Sequence, residues 1–494
     1  MAVKCAAVST GCACVAGCMM LSTAFSAPGN PVAKKVAADF ASRTGAKVWH
    51  YAVPPMSEIQ RLSDVYPSDG TPDGTVRIVA AKDEYEPGSF LLWAPQDLGK
   101  VELEIGDFKQ VEVKGGAGGK ETGVLFPKEN LDLKFVKVWY QNRDGWFSYF
   151  GDTGFKLCPE LLVNDEDLIR VDTKTEANYA RLVGKDGRKS EKWLNPPRQM
   201  DSRQLREGWR KEDTFDSMRE NFRDAATLQP VALPKESFRQ FFLTAHVTKA
   251  AKPGLYRGEV KIKAKGERLI GSVPVEIKVL DFELPQPKCY NEPEKDFLVS
   301  SYSYLSFGQI MEKNGYDAAL ARRQFIAILR NQVAHNQTMH MIRGNFNSET
   351  FETIGVMKEA GMRMDVIQGG VSPTWGQRDP DAMAARARIV ADEFDRRYGH
   401  HNVYMGYGDE PGAKWLAENR LVFESYQQAG LKFFIAGETV FSKAGYFYDW
   451  HNSARDATDD TLPALWGKMQ GASHVAWYAN QHVGAENPAL SRRQ

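Results

Sequence analysis

The chain has 494 residues, 43% of them hydrophobic and 26% charged, which is ordinary for globular protein and too long for one hydrophobic core. Its 63 basic residues balance 63 acidic ones, so nothing in the charge recommends nucleic acid or an anionic membrane surface as a partner. At least two domains and a neutral ligand such as a sugar are the expectation.

Residues 1–27 carry Lys4 and then a small-residue and apolar run to Phe25, and they read as a secretory signal too short to span a bilayer. Two processing readings stand open. Val15-Ala16-Gly17-Cys18 resembles a lipoprotein box, and Ala24-Phe25-Ser26 before Ala27 resembles an ordinary signal-peptidase site. Either reading implies export, to the periplasm, to the outer membrane through a lipid anchor, or outside the cell. Four of the six cysteines (Cys5, Cys12, Cys14, Cys18) lie in this segment, leaving Cys158 and Cys289 in the body. That excludes a disulfide framework and a cysteine metal site, and leaves either one bridge or two unrelated buried thiols.

Residues 38–288 are expected to form an all-β sandwich. Short β-branched or alternating runs at Thr75–Val79, Phe90–Trp93, Val101–Ile105 and Phe135–Tyr140 are separated by Gly, Pro and Asp. The turn at Pro253-Gly254 feeds a run to Ile262, and Val273–Val279 is its expected partner. Residues 185–224 are crowded with charge and read as a solvated insertion, in part helical.

After the stiff Leu284-Pro285-Gln286-Pro287 linker, residues 289–494 alternate strands with helices. Strands are expected near Phe297–Ser303, Thr338–Ile342, Met362–Ile367, Val403–Tyr407, Lys432–Ala436, Tyr446–Trp450 and His474–Tyr478. Helices are expected at Ala318–Val333, Asp381–Arg397 and Ala413–Gln428. This is the pattern of a (β/α)8-type barrel. The sequence reaches Gln494 without an eighth strand, so the barrel is expected to be incomplete at its C-terminal end, through a chain that stops short or through an unusual seven-stranded or partner-completed form.

The strongest chemical signal is Tyr407-Gly408-Asp409-Glu410-Pro411, where two carboxylates end an apolar strand at the face on which such barrels keep their chemistry. Pro411 holds Glu410 extended and starts the next helix, so both acids can face the barrel mouth. Adjacent acids with divergent environments suit glycosidic cleavage, although an Asp-Glu-Pro tripeptide also suits a plain helix start. Other strand ends supply rings and hydrogen-bonding groups for a sugar: Tyr302 and Tyr304, His340 and Arg343, Trp375, Tyr446, Trp450, and Trp477 with Tyr478. Glu438 is the rival second carboxylate. Asp365 with Arg363 reads as an ion pair inside the barrel, and His400-His401 falls at the opposite end from the active face. No nucleotide-binding glycine fingerprint, Ser-His-Asp order or zinc spacing is present, and no cofactor or metal is expected.

These parts in this order resemble glycoside hydrolase family 123. The likeness rests on Asp83-Glu84-Tyr85-Glu86-Pro87, on Gly254-Leu255-Tyr256-Arg257-Gly258 with the stretch to Pro285, on Tyr407 to Pro411, and on Glu486-Asn487-Pro488. The resemblance implies hydrolysis of β-linked N-acetylgalactosamine by substrate assistance, in which the sugar's acetamido oxygen attacks the anomeric carbon. Carried over by position, Glu410 is the general acid and base, and Asp409 orients and stabilises the acetamido group. An ionised Asp409 suits a developing cation, and its charge favours the protonated form of Glu410. A retaining enzyme for another sugar, using Glu410 with Glu438, and a non-catalytic carbohydrate-binding scaffold are the alternative readings.

Overall fold

The structure is a computed structural model that describes residues 30–43, 45–113, 119–142, 155–184, 186–194, 215, 222–264, 266, 268–285, 300–301, 306–337, 339–342, 346, 348–369, 379–409, 415, 418–436, 450–452 and 473–475. Helix α1 (Pro31–Asp39) opens it, with Pro31 at the first helical position and Val32 N donating to Asn30 Oδ1 at 3.0 Å. The strands that follow are β1 (Trp49–Val53), β2 (Thr71–Pro72), β3 (Val76–Lys82), β4 (Glu84–Trp93), β5 (Lys100–Ile105), β6 (Phe108–Val113), β7 (Gly119–Phe126), β8 (Leu131–Asn142), β9 (Phe155–Val163), β10 (Ile169–Asp172), β11 (Ala177–Val183), β12 (Lys189–Trp193), β13 (Val231–Ala232), β14 (Arg239–Val247), β15 (Gly254–Ala264) and β16 (Arg268–Glu283).

One sheet runs β2-β1-β4-β14-β8-β9, and a second runs β13-β5-β15-β16-β3 with β6 and β7 attached through β15. Alternation along these strands turns one face of each sheet inward. Phe90, Leu92, Phe241, Leu243 and Ala245 of the first sheet share a single core with Ile78, Val260, Ile262, Val275 and Ile277 of the second, all at most 1% exposed. β15 and β16 pair antiparallel, as the sequence indicates.

The outer face of the first sheet is not bare. Val36 and Phe40 of α1 pack there on Tyr51, Val53, Leu91, Trp93 and Phe238. The sequence reading did not anticipate α1 or β1, although the helix signal of Asn30-Pro31 and the rings of Trp49 and Tyr51 were present. The insertion also differs from expectation at its start: Lys189–Trp193 is not helical but forms β12, which pairs antiparallel with β11. Its polar residues sit at an edge, where Arg181 Nε meets Glu191 Oε1 at 3.3 Å, and only Trp193 is buried. Most of residues 195–221 lie outside the described residues.

The sandwich motifs prove to be architectural. Asp83, at φ 67°, turns the chain from β3 in the second sheet to β4 in the first, and Ala81 N donates to Glu84 Oε2 at 2.6 Å across that turn. Gly254 has φ 150°, which disfavours a side chain, and Tyr256 is buried with its hydroxyl donating to Lys252 O at 2.7 Å. Gly258 lies against the buried Phe108 ring, so a methyl group there would collide with it. Gly258→Ala is therefore expected to cost about 1–3 kcal/mol through overpacking, read as a lower urea midpoint with an unchanged slope. An unchanged midpoint would refute this packing account.

A second prediction concerns pH. His50 is 7% exposed, with its Nε2–H donating to Gly74 O at 3.0 Å and Nδ1 at 3.8 Å from Asp73 Oδ1. Burial lowers its pKa below 6.5, outweighing the Gly74 carbonyl and Asp73, which raise it. As pH falls below that value the unfolded chain takes up the proton first, so stability declines on the acid side and is kept above it. Unfolding curves at several pH values should show this decline reduced in His50→Gln. Equal decline in both proteins would rule out the assignment.

Cys158 in β9 is buried and donates Sγ–H to Glu160 Oε2 at 3.3 Å, while Cys289 lies outside the described residues.

The C-terminal half contains β17 (Ser300–Ser301), α2 (Phe307–Lys313), α3 (Ala318–Ala334), β18 (Met339–His340), α4 (Ser348–Glu359), β19 (Ile367–Gly369), α5 (Pro380–Tyr398), β20 (Val403–Asp409), α6 (Arg420–Gln428), β21 (Lys432–Ala436), β22 (Trp450–Asn452) and β23 (Ser473–Val475). All pairings here are parallel. β17 pairs with β18, an isolated bridge joins Ile342 to Gly369, and β19-β20-β21-β22-β23 follow in chain order. Helices start where capping side chains allow: Asp317 accepts from Leu320 N at 3.0 Å, and Ser306 with Gln309 forms a capping box. Phe325 and Leu329 of α3, Ile354 and Met357 of α4, Phe394 of α5 and Tyr426 of α6 pack with Val403 and Met405 of β20 in a second core.

The described residues thus form a β-rich multidomain fold whose second part is a parallel sheet wound in one direction. A closed barrel is not among their pairings. No helix among the described residues is long and apolar enough to cross a membrane, and residues 1–27 lie outside them.

Candidate functional site

In a parallel sheet wound in one direction the C-terminal strand ends share one edge, where the loops converge. β20 is the fourth strand in this order and its last residue is Asp409. The run Val403–Met405 is buried, as a strand covered on both faces requires. Between Gly406 and Asp409 the register with β21 shifts, so that Asp409 pairs with Ala436. Such irregularities let a strand redirect its end, and this one coincides with the Tyr407-Gly408-Asp409 motif.

Register carries the same level onward: Ala436 pairs with Asn452 and Asn452 with Val475. Asn452 is thus a polar strand-end residue level with Asp409. It was not among the expected residues because the expected strand ended at Trp450, whereas β22 continues to Asn452. The signal was the continuation Trp450-His451-Asn452, with polar residues finishing a short apolar approach.

Of the expected site residues, His340 is fully described. It ends β18 at 1% exposure, with Nδ1 3.2 Å from Gln332 Oε1 and its ring edge-on to Phe325 at 5.7 Å. Asp409 and Tyr407 are described as backbone of β20. Glu410, Tyr302, Tyr304, Arg343, Trp375, Tyr446, Trp477 and Tyr478 lie outside the described residues, as does Glu438. In chain order Glu410 directly follows β20, Tyr302 directly follows β17, and Trp477 and Tyr478 come soon after β23. Tyr446 comes four residues before Trp450, the first described residue of β22.

Two further expectations concern the other edge. Arg363 and Asp365 pair, with Arg363 Nε donating to Asp365 Oδ1 at 2.9 Å, but they precede β19 rather than lying within it. The strand begins only at Ile367, so the pair caps the N-terminal edge and is not inside a barrel. Burial pushes the Asp365 carboxyl up, and the hydrogen bond and charge of Arg363 more than offset this, leaving it below the usual carboxylate range. His400 and His401 also precede their strand: His400 Nε2 donates to Met364 O, and His401 Nδ1 lies 2.8 Å from Asp395 Oδ2. They stand at the opposite end from Asp409. Among the described residues no three His, Cys, Asp or Glu side chains gather as metal ligands.

No family model matches the chain, and no curated protein matches it. Among solved structures it is similar to a family 123 glycoside hydrolase from Clostridium perfringens, described for glycolipid glycan hydrolysis. The identity is 11%, with 87% of this chain and 72% of that one covered, at a TM-score of 0.52. A much looser match, at 7% identity and a TM-score of 0.21, covers 81% of this chain and 81% of a family 20 exo-β-N-acetylglucosaminidase from Vibrio harveyi, too little overlap to carry an argument. The chain therefore has a fold that resembles that of a family 123 glycoside hydrolase.

Proposed function

We propose that this chain is an exported glycoside hydrolase that cleaves β-linked 2-acetamido sugars, with Glu410 and Asp409 as its working pair. The observation that carries the reading is Asp409 at the C-terminal end of β20, in the middle of parallel strands that run in chain order, with the register shift beside it. The parallel strands are read as part of a (β/α)8-type barrel, and the fold likeness to a family 123 enzyme supports a glycan as substrate.

The acetamido carbonyl oxygen attacks the anomeric carbon as the glycosidic bond breaks. Glu410 gives its proton to the leaving oxygen. Asp409 accepts the amide N–H, turns the carbonyl toward the anomeric centre and balances the positive charge of the oxazolinium that forms. Glu410, now ionised, takes a proton from water, whose oxygen opens the ring at the anomeric carbon and restores the acetamide. Both steps invert, so configuration is retained. Substrate assistance removes the need for a spaced pair of carboxylates, which makes adjacency in sequence workable. Tyr407, Tyr302, Tyr304, His340, Arg343, Trp375, Tyr446, Trp477 and Tyr478 are proposed to line the sugar site.

The reading predicts a steep response to the electronics of the acetamide. In a series from N-acetyl to N-trifluoroacetyl β-galactosaminides, kcat should fall at each fluorination because the carbonyl becomes a poorer nucleophile. A flat series would point to Glu410 with Glu438 acting on the sugar directly.

A further inference from the structure

Away from the strand ends, the N-terminal sandwich contains a groove of about 560 Å³ between the end of α1 and the loop after β4, lined among others by Arg43, Lys47, Trp49, Pro95, Gln96 and Leu98. Its base is rigid. Trp49 is sandwiched between Phe40 and Trp93, with ring centroids at 4.9 and 5.0 Å and planes within 6°. The far wall is pinned by Leu98 N donating to Leu233 O at 3.1 Å and Gly99 N to Asp97 Oδ1 at 2.8 Å. Among the described lining residues there is no acid. Arg43 is countered by Asp73, Nε to Oδ2 at 2.8 Å, whereas Lys47 is exposed and pairs with no acid among the described residues.

We propose that this groove is a second, non-catalytic binding site for an acidic saccharide. A sugar ring with a carboxylate or sulfate uses each part of the lining. Its C–H face covers Pro95, Leu98 and the part-exposed edge of Trp49, its hydroxyls meet the Gln96 amide, and its oxyanion meets Lys47 with Arg43 beside it. The volume suits a short oligosaccharide rather than a single ion. The saccharide part of the assignment rests on the glycan reading of the C-terminal half; the oxyanion part does not.

Isothermal titration of the full chain with tetragalacturonate, neutral chitotetraose and sodium sulfate tests it. Tetragalacturonate should bind, and Lys47→Glu and the groove-filling Ala46→Trp should each weaken it by about tenfold or more. Asp409→Asn should leave this binding unchanged, which separates the groove from the proposed catalytic end. Lys47 is exposed, so its variant tests the site even where Ala46→Trp fails to fold. Absent binding, equal binding in both variants, or chitotetraose binding as tightly would overturn the proposal. Sulfate binding as tightly as tetragalacturonate would overturn its saccharide part.

Discussion

Glu410→Gln is expected to lower kcat on an aryl 2-acetamido-2-deoxy-β-galactoside by about 1,000-fold with little change in KM. The amide keeps the size of the side chain and removes only its proton chemistry, so the loss belongs to the transition state. The dependence on leaving group follows from the same assignment. A strongly activated aryl group departs without a proton, so the variant should recover part of its bond-cleavage rate on such substrates while the water-dependent step stays slow. Asp409→Asn should fall by a similar factor on every leaving group, because the task proposed for Asp409 is to hold and balance the acetamido group. A loss below about tenfold for Glu410→Gln, or the same loss for all leaving groups, would remove Glu410 from the acid and base role.

Phe241→Ala should be the most damaging single truncation in the sandwich, costing about 3–5 kcal/mol. Phe241 is fully buried on β14, between β4 and β8, and its ring lies 5.3 Å from Phe90 and 5.8 Å from Phe135. Removing it leaves a cavity facing the second sheet that rigid neighbours on three strands cannot close. Chemical denaturation followed by tryptophan emission measures the cost, and Phe241→Leu should restore more than half of it. A loss under about 1 kcal/mol would mean that the two sheets do not share the core described above.

The sandwich strands were legible because β-branched and aromatic residues alternate between turn residues, and a two-sheet core needs just that pattern. The parallel half was legible for a different reason. Runs such as Val403–Met405 are apolar on both faces, while buried residues recur at helical spacing in the helices, Phe325 and Leu329 in α3 and Ala387, Val390, Ala391 and Phe394 in α5. What the sequence hid was local competition. Lys189–Trp193 carries so much charge that its composition does not mark it as a strand, and Glu191 meets Arg181 across the pairing with β11. Arg363 and Asp365 alternate as a strand would, yet they pair with each other and delay β19 to Ile367. The entry of α1 onto the outer face of the first sheet depends on a tertiary fit of Phe40 to Trp49 and Tyr51, which no short window of sequence contains. At the candidate site, residue types and chain order were legible in the sequence, and the structure adds the end of β20 and the level of Asn452 beside it.

The most direct test of the central reading is kcat/KM of the full chain on an aryl 2-acetamido-2-deoxy-β-galactoside against the matching aryl β-galactoside. Hydrolysis of the acetamido sugar with the plain galactoside left intact is the expected result, since only the first carries its own nucleophile. Comparable cleavage of both would contradict substrate assistance, and no cleavage of either by folded protein would contradict the assignment as a glycosidase for such sugars.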